Sequence, residues 1–124
     1  MKPTPTDLEL EVMKIVWELQ SCTVREVYER LLTERSIAYT TVMTVMKILD
    51  EKGRLRRHRD GRAFVYQPTA SRQRVLGDMV DDLVTRAFDG SVRSLVLSLI
   101  SQDKLSRSDL DEISELIDRD GGGS

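Results

Sequence analysis

Two runs close together in the chain decide its fold: Ala38-Tyr39-Thr40-Thr41-Val42-Met43-Thr44-Val45-Met46 and Arg54-Leu55-Arg56-Arg57-His58-Arg59-Asp60-Gly61-Arg62. At about 100° per residue, Val42, Val45, Met46 and Leu49 gather on one side of a helix. Thr40, Thr44, Lys47 and Glu51 lie opposite, with Thr41, Met43 and Ile48 at the flanks. The helix is predicted to begin within 38–41 and to stop before Gly53, which can take the left-handed conformation that ends helices. Past Gly53 the period shortens. A strand begins at Leu55, Asp60-Gly61 is the expected two-residue turn, and Ala63-Phe64-Val65-Tyr66 returns with Phe64 and Tyr66 on one face. Pro68 ends the second strand because it has no N–H for a ladder.

Upstream, Thr6-Asp7-Leu8-Glu9 and Thr23-Val24-Arg25-Glu26 are capping boxes that open two more helices. The first carries Leu8, Val12, Ile15 and Leu19 at helical spacing, widened by Met13, Val16 and Trp17. The second carries Val24, Val27, Tyr28 and Leu31. A polar break, Thr33-Glu34-Arg35-Ser36, separates it from the third. Three helices followed by a hairpin is the order of a winged helix-turn-helix, in which the third helix enters the major groove and the wing meets flanking phosphates. The outward residues suit that task. Threonine hydroxyls bond to base edges or phosphates, and Thr and Met methyls pack on thymine methyls. Arg54, Arg56, Arg57, Arg59 and Arg62 offer forks for phosphate oxygens. Tyr39 is placed for a phosphate or for packing at the turn. We therefore take Tyr39, Thr40, Thr41, Met43, Thr44, Lys47, Arg57, Arg59 and Arg62 as the candidate DNA-binding residues.

The rest is predicted helical. Ser71 opens a helix with Leu76, Met79, Val80, Leu83, Ala87 and Phe88 on one side, halted at Asp89-Gly90. Ser91 opens one with Val92, Leu95, Val96, Leu99 and Ile100. Ser106 opens a third with Leu110, Ile113, Leu116 and Ile117. Three amphipathic helices present more apolar surface than a small winged helix covers, and a second copy of the chain would supply the cover. Leu76, Met79, Val80, Leu83, Leu95, Val96, Leu99, Leu110, Ile113 and Ile117 are the candidate dimerisation residues. The expected fold is thus mostly α: a winged-helix domain over 1–70, a three-helix dimerisation domain over 71–120 and a flexible Gly-Gly-Gly-Ser tail over 121–124.

Charge follows the same division. The 124-residue chain carries a net −2, yet residues 1–72 hold 13 Lys/Arg against 10 Asp/Glu and residues 73–124 hold 6 against 11. Between Lys47 and Arg62 alone there are 7 basic and 3 acidic residues. Such asymmetry points to nucleic-acid contact by one part only. The single Cys22 cannot form an internal disulfide, so a cytoplasmic location is expected. The N-terminal stretch has no signal-peptide pattern, and the run Leu95–Ile100 is far below the about 20 apolar residues of a membrane span. No phosphate-cradling glycine loop, paired carboxylate or Cys/His metal cluster is present. Neither enzymatic activity, nor a cofactor, nor a metal site is expected, and His58 reads as a wing residue.

Several of these motifs in order, Thr6 to Trp17, Thr23 to Val27, Ala38 to Met46, Arg59 to Ala63 and Ser94 to Leu97 with the segment from Leu105, resemble the penicillinase-repressor (BlaI/MecI) family over roughly residues 6–118. The resemblance implies a cytoplasmic homodimer that binds an inverted-repeat operator in double-stranded DNA and represses transcription. It also implies release by proteolysis through a sensor-linked protease answering a β-lactam or cell-wall signal, with Ser98–Leu99 as the bond matching the Asn-Phe cut of well-studied members. Ile48 stands where many relatives carry Arg, which leaves Lys47 as the nearby cation. With Cys22 alone, the Cys-x-Cys motifs of the copper-responsive branch are absent. Two other readings fit the residues: a dimeric winged-helix regulator released by a small molecule, and a winged-helix interaction module that binds protein.

Overall fold

A computed structural model of the chain describes residues 4–120. The order is α1 (Asp7–Leu19), α2 (Val24–Leu32), α3 (Tyr39–Glu51), β1 (Leu55–Asp60), β2 (Ala63–Pro68), α4 (Arg72–Ala87), α5 (Val92–Ser101) and α6 (Arg107–Arg119). This is a winged helix followed by helices. It divides into two compact units, with the boundary at Met79/Val80 inside α4. The tail Gly121–Ser124, expected to be flexible, lies outside the described residues.

Every helix except α3, whose N-cap is Ala38 with no side-chain cap bond, begins where a side chain satisfies its free N–H groups. The backbone N–H of Glu9 donates to Thr6 Oγ1 at 3.2 Å and that of Thr6 to the Glu9 carboxylate at 2.9 Å. Thr23 and Glu26 repeat the reciprocal pair at the start of α2, and Ser106 and Asp109 at the start of α6. Ser71 and Ser91 accept from Arg74 N–H and Ser94 N–H. At the end of α3, Gly53 has φ +76°, its N–H donates to Asp50 O, and Arg54 N–H donates to Leu49 O. That six-to-one and five-to-two closure turns the chain out of the helix and into the wing.

In the first unit, Val12, Met13, Val16, Trp17, Val27, Leu31, Val42, Val45, Met46, Leu49, Leu55 and Tyr66 form one core with Cys22 and Val75. The α3 face is the one expected. The α1 stripe is rotated: Met13, Val16 and Trp17 are buried with Val12, while Leu8, Ile15 and Leu19 flank the core half-buried. Glu9 is buried too, at 5 % exposure, because Lys52 reaches it with Nζ 2.9 Å from the carboxylate. Burial pushes the Glu9 carboxyl up, but hydrogen bonds from Lys52 and Thr6 and the Lys52 charge outweigh it and hold the group below its ordinary value.

The wing pairs Leu55 with Pro68 through to Asp60 with Ala63. Its central turn residues are therefore Gly61-Arg62, one position later than the expected Asp60-Gly61. Gly61 alone of the two takes a positive φ, +64°. A type II′ turn asks for glycine at the first central position only, which is the register that lets Arg62 keep an ordinary φ. A further strand-like contact ties the hairpin down: Cys22 N–H donates to Tyr66 O at 3.0 Å and Tyr66 N–H to Cys22 O at 2.7 Å. Burial pushes the Cys22 thiol up to about 11, with the Glu26 charge adding to it.

The second unit is built differently. No residue of α5 or α6 is buried. Val84, on α4, is the only buried hydrophobic residue among the described residues beyond 79.

Candidate nucleic-acid interface

The outer face of α3 and the wing enclose one groove of about 730 Å³ within the first unit. Tyr39, Met43, Thr44 and Lys47 of α3 line it on one side, and Arg57, Arg62, Ala63, Phe64 and Tyr66 of the hairpin on the other. The N-terminus of α2 closes the third side with Thr23, Val24 and Arg25. The lining holds four cations, Arg25, Lys47, Arg57 and Arg62, and no carboxylate. A concave surface with that balance concentrates positive potential where an anion would lie.

Local packing sets how each group is presented. The four core residues of α3 fix its rotation, so Met43, Thr44 and Lys47 face outward and are exposed. Thr44 Oγ1 donates to Thr40 O at 2.9 Å, which spends its proton inside the helix and leaves oxygen lone pairs and a methyl group outward. Tyr39 stands edge-on to Tyr28, with ring centroids 5.3 Å apart, and the Arg25 guanidinium lies 6.0 Å from its ring. The ring is thereby held at the groove with its face partly open. Arg57 Nε lies 3.5 Å from Asp50 Oδ2, so the α3 carboxylate steadies a wing cation. Lys47, Arg56 and Arg62 enter no ion pair among the described residues.

Of the nine candidate DNA-binding residues, six line the groove: Tyr39, Met43, Thr44, Lys47, Arg57 and Arg62. Thr40, Thr41 and Arg59 are exposed beside it and are not among its lining. Arg54 does not share the wing's exposed surface. It is buried at 9 % exposure, and its carbonyl accepts from Thr69 N–H and Thr69 Oγ1, so it braces the wing's base. Thr23, Val24, Arg25 and Phe64 were not foreseen at the groove. The α2 residues read as a helix cap and its first turn, and no local signal ties them to groove residues that begin at Tyr39, on the next helix.

The family model described as penicillinase repressor matches residues 5–119. The chain belongs to the penicillinase repressor family. The penicillinase repressor of Bacillus licheniformis is 30% identical over 116 residues, spanning 94% of this chain and 91% of that protein. The transcriptional regulator BlaI of Mycobacterium tuberculosis is 38% identical over 92 residues, 73% of this chain and 67% of the relative. Membership of the penicillinase repressor family places the chain among transcriptional repressors and not among enzymes. The winged helix is similar to the solution structure of the DNA-binding domain of the repressor BlaI, with TM-score 0.53 and 36% identity over 58% of this chain and 88% of that one. It is similar also to monomeric Bacillus licheniformis BlaI in complex with the blaP half-operator, with TM-score 0.51 and 36% identity over 59% and 89% of the two chains.

Among the described residues no helix is long and apolar enough to cross a membrane, and no group of His, Cys, Asp and Glu is arranged to hold a metal ion.

Proposed function

We propose that this member of the penicillinase repressor family acts in the cytoplasm as a homodimer that binds an inverted-repeat operator and blocks transcription. Each winged helix takes one half-site. The observation that carries the reading is the groove between α3 and the wing, lined by four cations and no carboxylate, with Met43, Thr44 and Lys47 on the helix side. Thr40, Thr41, Met43, Thr44 and Lys47 read base edges and neighbouring phosphates, and Arg57, Arg59 and Arg62 hold the backbone from the wing. The similarity to a BlaI monomer solved on a half-operator supports one head per half-site.

The two kinds of contact respond differently to substitution. Arg59→Ala is expected to weaken binding to every sequence alike and to lower the salt slope by about one unit. Thr44→Ala is expected to reduce discrimination between operator and random DNA instead. Titrations of both variants against both duplexes at several salt concentrations check this. Wild-type affinity for operator in both would remove these residues from the site.

A second copy covers the apolar residues left open in the second unit. Val80, Leu83, Val96, Ile113 and Ile117 are exposed there, and Leu95, Leu99 and Leu110 are half-buried. Leu76 and Met79, the remaining dimerisation candidates, are half-buried on α4, with Met79 against the core of the first unit.

Repression ends when a sensor-linked protease cuts Ser98–Leu99 in response to a cell-wall or β-lactam-type signal. The bond lies inside α5, where Ser98 O accepts from Gln102 N–H and from Ser101 Oγ, so the helix must open locally before a protease reaches it. The cut separates Leu99, Ile100 and α6 from Val92, Leu95 and Val96. Mass spectrometry of the repressor from induced cells should find fragments ending at Ser98 and beginning at Leu99. An intact chain under full derepression contradicts this step.

A further inference from the structure

Phe64 is a large apolar side chain left 40 % exposed at the edge of the groove. Two guanidinium groups account for its place. The Arg57 Cζ lies 4.4 Å from the ring centroid and the Arg59 Cζ 5.4 Å from it. Arg59 is the cross-strand partner of Phe64, and Arg57 is the partner of Tyr66, two residues along. One arginine thus meets the ring from directly opposite and one along the diagonal, both within reach of side chains on the same face of a hairpin. Two cations this close repel each other. The negative face of the ring offsets that repulsion for both, and Asp50, 3.5 Å from Arg57 Nε, offsets it for one.

We propose that Phe64 is a positioning residue for DNA binding, an aromatic platform that holds Arg57 and Arg59 together on the wing before a phosphate arrives. The inference rests on the reading that these arginines meet the DNA backbone. An arginine free to rotate loses its freedom on binding, whereas one already laid on a ring loses less, so a larger part of the contact appears as affinity. Leucine at the same position would fill similar space without an electron-rich face, and tyrosine would keep that face.

The test uses the full chain and a short mixed-sequence duplex, because phosphate contacts do not depend on sequence. Phe64→Leu is expected to weaken binding about five- to twentyfold, from two cation–π contacts of ordinary strength. Phe64→Tyr should stay within about twofold of wild type, since the π face is retained. In an Arg57→Ala/Arg59→Ala background, Phe64→Leu should have no further effect, which a merely structural role for the ring would not produce. Wild-type affinity in Phe64→Leu overturns the inference. So does a loss that persists without the two arginines, because the ring would then touch DNA itself or support the fold. If the double alanine variant alone binds like wild type, the wing does not meet phosphates, and it is the underlying reading that fails.

Discussion

The two units of this repressor solve the same problem, burying an amphipathic helix, in opposite ways. In the first, α1, α2 and α3 converge with the wing on a core whose members come from every element, and Val12, Val16, Val27, Val42, Met46 and Leu49 are wholly enclosed. In the second, α5 and α6 carry equally regular apolar stripes, yet Val92, Val96, Leu97, Ile100, Ile113, Leu116 and Ile117 all remain exposed. A helical stripe in a sequence states that a face wants covering and does not state by what. The contrast teaches that the first unit closes its core within one chain, whereas the second leaves its apolar stripes uncovered, which is the surface the proposed homodimer would bury.

Substitutions that sharpen the contrast differ in size and in concentration dependence. Met46→Ala leaves a cavity in a closed core and should destabilise the first unit by about 2–5 kcal/mol, independent of protein concentration. Leu116→Ala should cost under about 0.5 kcal/mol in dilute protein, as an exposed position does, with the loss growing as concentration rises. Denaturant melts at two concentrations measure both. Equal, concentration-independent losses would erase the distinction between the units.

A smaller effect belongs to the pair Glu9–Lys52 inside the first unit. Glu9→Gln keeps the reach back to Thr6 N–H but removes the charge that Lys52 meets. With Lys52 partly in solvent, about 1 kcal/mol is expected at neutral pH. Because the folded state holds the Glu9 carboxyl below its ordinary value, the contribution is present above the unfolded carboxylate pKa and is lost as pH falls through the folded one. Wild type and variant should therefore converge in acid. A difference that stays constant down to the acid transition would assign the stabilisation to packing and not to charge.

Local features were legible in the sequence, and features made by distant residues were not. Capping boxes, the glycine that closes α3 and the core face of α3 each depend on residues within one or two turns, and each stands as the pattern implies. The α1 stripe could be read either way round, because eight of its thirteen residues are apolar and only tertiary contacts choose among them. The Cys22–Tyr66 bridge joins residues 44 positions apart. Nothing near either marks it. Arg54 reads in the sequence as one of five wing cations, yet it is buried at the wing's base, where its carbonyl accepts from Thr69. The groove shows the same divide: the α3 and wing residues were accessible to pattern, while Arg25 and Thr23 reach it only through the packing of α2 on α3. On α4, Val75 and Val84 are buried although neither lies on the expected apolar stripe.

Sedimentation equilibrium of the full chain at micromolar concentration tests the central claim most directly, alongside a variant with Ile113→Asp and Ile117→Asp. The account predicts a species of twice the chain mass for wild type and a monomer with an intact winged helix for the variant. The variant's affinity for a two-half-site operator should fall by about 100-fold or more, because the heads are no longer linked. A wild-type chain that sediments as a monomer under these conditions would contradict the account.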